Sequence, residues 1–394
     1  MTVIKNQFPK FKAPTVTSPS KQWISSFAER QNLKSTRAHQ IEKVRSETAT
    51  IGNVTWWYDN ILNEIKWEEY NEKFIFNADE TMLQQKGRRL VLVPRDTKIA
   101  LIKNDDDTEH ITIMCCIAAN GDAMTPMFIF PLKNTPNELD DLVVAEKLTV
   151  AGQKEGWISQ EIFEKWIDLF IKFIEERRKS FKMPEAKAIL FVDSHASREV
   201  PESLKKLKQA NCECITFPAD STHILQALDV GIFGPFKSYL KSIRDRINDM
   251  NLTWNDNDIE MKKSQTRRIK LVMAASDALR QATTTINIKH AFAKAGLWPP
   301  NKEKPLQNSR IGNSTDVTIS LGNHRKRKRI SIANRIITKD EVIIEIANAK
   351  TEIEKKRYVF GFQMIIVIFL MLSIFLGRQS CKGSYSRILS NPSQ

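Results

Sequence analysis

Short apolar runs separated by polar turns dominate the middle of the chain, and their lengths sort them into strands and helices. Runs of four to eight apolar residues bounded by turn signals read as buried strands. Phe74-Ile-Phe-Asn-Ala-Asp79 is one such run, ending in acid. Ile111–Ala118 and Met124–Phe130 are two more, flanking Asn120-Gly121. That dipeptide closes hairpins because both residues tolerate positive φ. Ala188–Val192 ends at Asp193, and Cys214–Phe217 ends at Pro218. Helical spacing governs Trp157–Arg178, where Ile162, Phe163, Trp166, Ile167, Phe170, Ile171 and Ile174 share one face. Ser159 starts that helix and basic residues end it. A further helical pattern opens at His223 and runs through Phe233, Phe236 and Leu240, while Val54–Leu62 supplies an apolar helical face in which Trp57 and Ile61 read as packing.

Three acids stand out against this pattern. Asp79 and Asp193 close strands, and Asp229 follows the strand at Cys214–Phe217 through a polar turn. Open α/β sheets place their sites at the carboxyl ends of strands. Carboxylates converging from separate elements are what a pair of Mg²⁺ ions about 4 Å apart requires, one ion activating the attacking oxygen and one stabilising the leaving oxygen. Thirty-five residues lie between Asp193 and Asp229. A lone strand-terminal Asp is as readily a helix cap or turn residue; the three together point to a metal site. His195 and His223 flank these acids and read as hydrogen-bonded structural histidines. Asp105-Asp-Asp107 reads as a solvated loop.

Longer motifs surround the acids: Phe76-Asn-Ala-Asp-Glu-Thr81, Phe191-Val-Asp-Ser-His-Ala-Ser197, and Phe217-Pro-Ala-Asp-Ser-Thr-His-Ile-Leu-Gln-Ala-Leu-Asp-Val-Gly-Ile-Phe-Gly-Pro-Phe-Lys237. In these the chain resembles transposases of the pogo, Tigger and jerky group, within the Tc1/mariner-like DDE superfamily. The resemblance runs from about residue 20 to residue 302. It implies an α/β, ribonuclease-H-like fold: a mixed five-stranded sheet with helices on both faces, preceded by a small helical unit. It also implies DNA cleavage and strand transfer with Mg²⁺, for which Mn²⁺ substitutes, and places the catalytic triad on Asp79, Asp193 and Asp229. DNA and a second copy of the chain, in a homodimer, are the implied partners. Two positions depart from the family: Arg198 stands where many relatives have His, and Ala227 where Pro usually precedes Leu-Asp. A domesticated or decayed transposase that binds nucleic acid without cutting it is the alternative.

Trp23, Phe27, Arg30, Leu33 and Arg37 resemble the end of the second helix-turn-helix of a centromere-protein-B-like DNA-binding region, here amino-terminally shortened. Arg37, Lys43 and Arg45 are candidate phosphate contacts, as are Lys86, Arg88 and Arg89 just after Asp79.

Charge supports a polyanionic partner. Sixty Lys and Arg against 46 Asp and Glu give +14, an excess that attracts nucleic acid. The five cysteines, Cys115, Cys116, Cys212, Cys214 and Cys381, have no zinc-ligand spacing and read as buried thiols of a reducing compartment. His324-Arg-Lys-Arg-Lys-Arg329 reads as a nuclear-localisation signal. One stretch pulls the other way. Tyr358–Gly377 carries no charge over twenty residues, long enough to cross about 30 Å of hydrocarbon. It predicts a transmembrane helix, with a tail-anchored membrane location as the alternative to the nucleus. The expected organisation is a disordered lead-in at 1–20 and a partial helix-turn-helix region at 21–70. A catalytic core at 71–245 and a helical closing segment at 246–302 follow. A basic linker at 303–357, the apolar segment at 358–377 and a tail at 378–394 complete the chain.

Overall fold

The computed structural model describes residues 49–83, 110–154, 156–249, 263–317, 331–353 and 355, together with Ser26, Phe27 and Arg30. Two compact units divide the chain, Met1–Lys43 and Val44–Gln394. In the first, the three described residues are helical.

Six strands form one sheet: β1 (Tyr70–Leu83), β2 (Ile111–Ala118), β3 (Met127–Phe130), β4 (Thr149–Gly152), β5 (Lys187–Val192) and β6 (Cys212–Thr216), in the order β4-β3-β2-β1-β5-β6. The β1–β2 and β2–β3 pairs are antiparallel; β1–β5, β5–β6 and β3–β4 are parallel. This is the mixed ribonuclease-H-like sheet the motifs imply, with six strands rather than five. The added strand, Thr149-Val-Ala-Gly152, is a short edge strand without a continuous apolar run, so periodicity passes over it.

Alternation along the strands divides the core into two. Ile75, Ile113, Phe128, Ile189, Phe191 and Ile215 face one side. There they pack under α1 (Ile51–Asn60), α4 (Phe233–Asp249), α5 (Lys263–Ala282) and α6 (Thr285–Lys294). Phe74, Phe76, Met114, Leu190 and Cys214 face the other side, under α2 (Gln160–Ser180) and α3 (Pro201–Gln209). Helix α2 begins where its sequence says it should: the Ser159 side chain accepts a hydrogen bond from the Ile162 amide, satisfying one of the orphan donors of a helix start. Trp57 of α1 is fully buried, its Nε1 donating to the Thr216 carbonyl at 3.0 Å. The Asn120-Gly121 hairpin forms as expected, with Gly121 at φ 103° and the Gly121 amide donating to the Ala118 carbonyl.

Two further features differ from the pattern in the sequence. Within the stretch read as linker, Ile332, Ile337, Val342, Ile343 and Ile346 join the second core. There the backbone of Arg335 and Ile337 pairs with Thr216 and Cys214, and α7 (340–353) follows. This segment covers the outer edge of β6, and an edge so covered offers no template for a foreign strand. The transmembrane-helix expectation is corrected: among the described residues no helix is long and apolar enough to cross a membrane, and 358–377 lies outside the described residues.

Arg177 ties the two ends of the hairpin layer together. Its Nε donates to the Lys73 carbonyl at 3.1 Å, Nη1 to Asp122 at 3.0 Å and Nη2 to Asn120 at 3.1 Å. The guanidinium lies over the rings of Phe173 and Phe181. Burial alone would raise the Asp122 carboxyl, but Asn120 and Arg177 together hold it below its ordinary range. Arg177→Leu strands the Lys73 carbonyl and leaves half-exposed Asp122 unpaired, so it is expected to cost about 2 kcal/mol. Urea unfolding followed by fluorescence measures this; a midpoint unchanged from wild type would refute it.

Candidate metal centre

The centre of the sheet builds the site. Strands β1 and β5 lie side by side in parallel, with Asn77 paired to Phe191, which brings Asp79 near Asp193 just past the end of β5. Asp79 does not end its strand as the apolar run suggested. Antiparallel pairing with β2 continues from Phe76↔Ala118 through Asp79↔Cys115 to Leu83↔Ile111, so the acid sits inside a 14-residue strand.

Asp229 arrives on a π-helical turn, Leu228–Ile232, a wide turn often found at functional sites. Asn77 holds that turn in place. It is fully buried, its Nδ2 donates to the Phe191 carbonyl at 3.1 Å, and its Oδ1 accepts from the Leu228 amide at 3.0 Å. One side chain thus joins β1, β5 and the turn bearing the third acid.

Gly231 lets α6 close over the turn, because a Cβ there would stand 2.5 Å from the Ala291 Cβ. Gly231→Ala is therefore expected to cost about 1–3 kcal/mol through overpacking. Gly234, three residues on, faces nothing within 4 Å, and Gly234→Ala in the helix is expected to gain about 0.5–1 kcal/mol. Opposite signs for the two alanines in thermal unfolding are the outcome to check; equal signs would mean that the close approach does not constrain the turn.

The carboxylates of Asp79, Glu80 and Asp193 offer oxygens all within 4.8 Å of one another. Burial drives the Asp79 carboxyl well above its ordinary range, and Asp229, Glu80 and Asp193 add repulsion. Asp229, an exposed residue, is not among the three whose oxygens meet, but its charge adds to the repulsion that raises Asp79. Burial also raises Glu80, against the pull of Arg198. All the donors are hard oxygens, the set that suits Mg²⁺ or Mn²⁺, and a divalent cation would relieve the crowding that raises Asp79. The residues present fit such an ion.

Glu80 and Arg198 are the members that the sequence reading did not place in the site. Neighbouring strand residues point to opposite faces, so Glu80 is not expected beside Asp79; its carboxylate nevertheless joins the cluster. The adjacent Asp-Glu pair in the first motif is the signal that could have flagged it. Arg198 is fully buried, with Nη2 at 2.7 Å from Glu80 and 3.0 Å from Asp193. Its Nη1 donates to Ser197 Oγ at 3.0 Å. Burial alone would lower its pKa, but Glu80 and Asp193 carry it above the ordinary arginine value. His195 Nδ1 lies 2.9 Å from Ser197 Oγ, completing a supporting chain. Cys115, paired with Asp79 across the sheet, is a buried thiol whose pKa burial pushes up, and Cys116, Cys212 and Cys214 are buried and free as well. The expected phosphate contacts Arg37, Lys43, Arg45, Lys86, Arg88 and Arg89, and the basic cluster at 324–329, lie outside the described residues.

Residues 108–292 match the family described as DDE superfamily endonuclease. A Cochliobolus lunatus protein named MFS-type transporter clz9 is 26% identical over 195 residues, covering 49% of this chain and 19% of that protein. A Mus musculus protein named Pogo transposable element with KRAB domain is 20% identical over 230 residues, covering 56% of this chain and 35% of that protein. The chain spans well under two thirds of either relative's length. Among solved structures, the Mos1 mariner paired end complex with Mn aligns at 10% identity over 76% of this chain and 78% of its own, with a TM-score of 0.41. That similarity is too low to carry an argument about the site.

Proposed function

Because residues 108–292 match the DDE superfamily endonucleases, we propose that this chain binds DNA and, with Mg²⁺ or Mn²⁺, cuts phosphodiester bonds and joins the freed ends, as a transposase does. The observation that carries the reading is the convergence of Asp79, Glu80 and Asp193 on one point, with Asp229 brought up to them by the π-turn. Asp79, Asp193 and Asp229 would hold the ions. Bound there, the ions would activate the attacking oxygen and stabilise the leaving one. The chain's own residues supply position and charge. Asn77 fixes the spacing between the turn and the two strands, and the low-dielectric floor around Asp79 strengthens its attraction for a cation. Asp79 is buried and Asp229 exposed, so the DNA phosphate would approach from the side of the π-turn. Helix α4 continues from that turn and exposes Lys237 and Lys241, which would meet the DNA backbone together with Arg37, Lys43, Arg45, Lys86, Arg88 and Arg89. Action on DNA and the basic cluster at 324–329 would suit the nucleus, and a homodimer would hold two DNA ends at once.

A second reading, DNA binding without cleavage, is favoured by Arg198, whose guanidinium already neutralises part of the carboxylate cluster. The test is incubation of the full chain with supercoiled DNA carrying the gene's flanking inverted repeats, with Mn²⁺ or with EDTA, across a salt series. Nicking that requires Mn²⁺ and stops with EDTA supports the enzyme. Salt-sensitive binding without nicking supports the second reading, since phosphate contacts release counterions. Neither binding nor nicking would remove both.

A further inference from the structure

Arg198 is a feature of the metal centre that the endonuclease reading does not use. Besides Ser197, its guanidinium touches two acids and a ring. Nε and Nη2 both reach the same oxygen of Asp193, Oδ1, at 3.1 and 3.0 Å. Nη2 also lies 2.7 Å from Oε1 and 2.8 Å from Oε2 of Glu80. The plane rests on the ring of Phe163 at 4.7 Å from its centroid, which fixes the group from the helix side. Arginine stays protonated at any pH a folded protein meets. A permanent unit charge therefore sits inside the carboxylate cluster, fully shielded from water, and two of its donors occupy one of the two oxygens through which Asp193 could bind an ion.

We infer that Arg198 is a built-in counter-cation that sets the metal affinity of this site, holding Glu80 and one oxygen of Asp193 away from an incoming divalent ion. The inference rests on the metal-site reading given above. Arg198 acts through the acids and touches no reacting atom, so it is a positioning residue. It has two consequences. With no metal bound, the guanidinium keeps Glu80 and Asp193 together where like charges would otherwise drive β1 and the end of β5 apart. On metal entry, the same charge repels the ion, so the site is weaker than its count of carboxylates suggests. Removing the charge should reverse both effects: the metal-free protein loosens, and the ion binds more tightly because it alone neutralises the acids.

The experiment measures Mn²⁺ affinity of the full chain by calorimetry and by the spin resonance of free Mn²⁺, alongside melting temperature in EDTA and in Mn²⁺. Arg198→Gln and Arg198→Met remove the permanent charge at every pH; Arg198→Lys keeps it. A unit charge within several ångströms of the ion is a large term at protein dielectrics, so both neutral variants are expected to bind Mn²⁺ at least about tenfold more tightly than wild type. They should melt lower in EDTA and regain the loss with Mn²⁺, because a ligand of the folded state stabilises in proportion to its affinity. Arg198→Lys should stay near wild-type affinity. A merely structural arginine would lower the melting temperature without tightening the metal. Equal Mn²⁺ affinity in wild type and both neutral variants would overturn the inference while leaving the metal site intact. No Mn²⁺ binding by any of the four proteins would overturn the metal-site reading itself, and the inference with it. Should Arg198→Gln fail to fold, the comparison between Arg198→Met and Arg198→Lys decides alone.

Discussion

Asp79→Asn is expected to leave the protein more stable in metal-free buffer and to lower its metal-dependent nicking by at least about a thousandfold. Both effects come from the same physics. The Asp79 carboxylate is buried beside Asp229, Glu80 and Asp193, and its ionised form is disfavoured by burial first and by those acids second. A carboxyl whose folded pKa lies above its unfolded value weakens folding as pH rises. The penalty is absent below about pH 4, where the unfolded group is protonated too, and grows as pH climbs towards the raised folded value. Asparagine removes that penalty. Its stabilising effect should therefore be small at pH 4 and largest at neutral pH, as measured by denaturant unfolding in EDTA at the two values. Mn²⁺ should stabilise wild type and not the variant. A variant less stable than wild type at pH 7 in EDTA would show that Asp79 is held by contacts rather than strained by crowding. Nicking retained within tenfold would remove Asp79 from the proposed chemistry.

Asn77→Leu is expected to have the second largest effect. Leucine matches asparagine in size but offers no hydrogen bond, so the buried Leu228 amide loses its acceptor and the Phe191 carbonyl its side-chain donor. Leaving buried backbone groups unpaired costs about 1–3 kcal/mol each, and the two together approach a third of a typical domain's stability. The site should suffer as well. The π-turn is pinned at Leu228, next to Asp229, and releasing it lets the third acid drift from the other two. Nicking is expected to fall about a hundredfold, since an ångström of misplacement is worth that much. The DNA affinity should hold. Thermal unfolding and nicking measured on the same preparations decide it. Full activity in Asn77→Leu would show that the turn is set by packing of α6 on Gly231 and not by Asn77.

Much of this architecture was legible along the chain. The apolar runs at Phe74, Ile111, Ala188 and Cys214 became strands, and the face of Ile162, Phe163, Trp166 and Phe170 became the buried side of α2 with Ser159 as its cap. These elements are visible because period and turn chemistry are local properties, set by which residues must leave water and which backbone groups need partners within a few positions. The same reasoning misread what lies at the edges. The strand Thr149–Gly152 is too short and too mixed to carry a period, and it exists because β3 offers it a ladder. The segment 331–353 reads as linker because it follows the Asn- and Ser-rich stretch 303–322 and the basic cluster at 324–329, and it becomes core because its isoleucines cover β6.

The site divides in the same way. Sequence alone determined the acids Asp79, Asp193 and Asp229 as candidates, because metal chemistry demands carboxylates and the motifs around them are specific. Tertiary structure decided their company. It brought Glu80 into the cluster, and it hung the turn that carries Asp229 on Asn77 through Leu228, 151 residues away in sequence. It also set the Arg198 guanidinium between Glu80 and Asp193, with Glu80 118 residues distant. Strand period says which face a residue takes but not how far a carboxylate reaches around the end of a neighbouring strand. Charge balance inside a buried site is a sum over elements that meet only when the sheet closes.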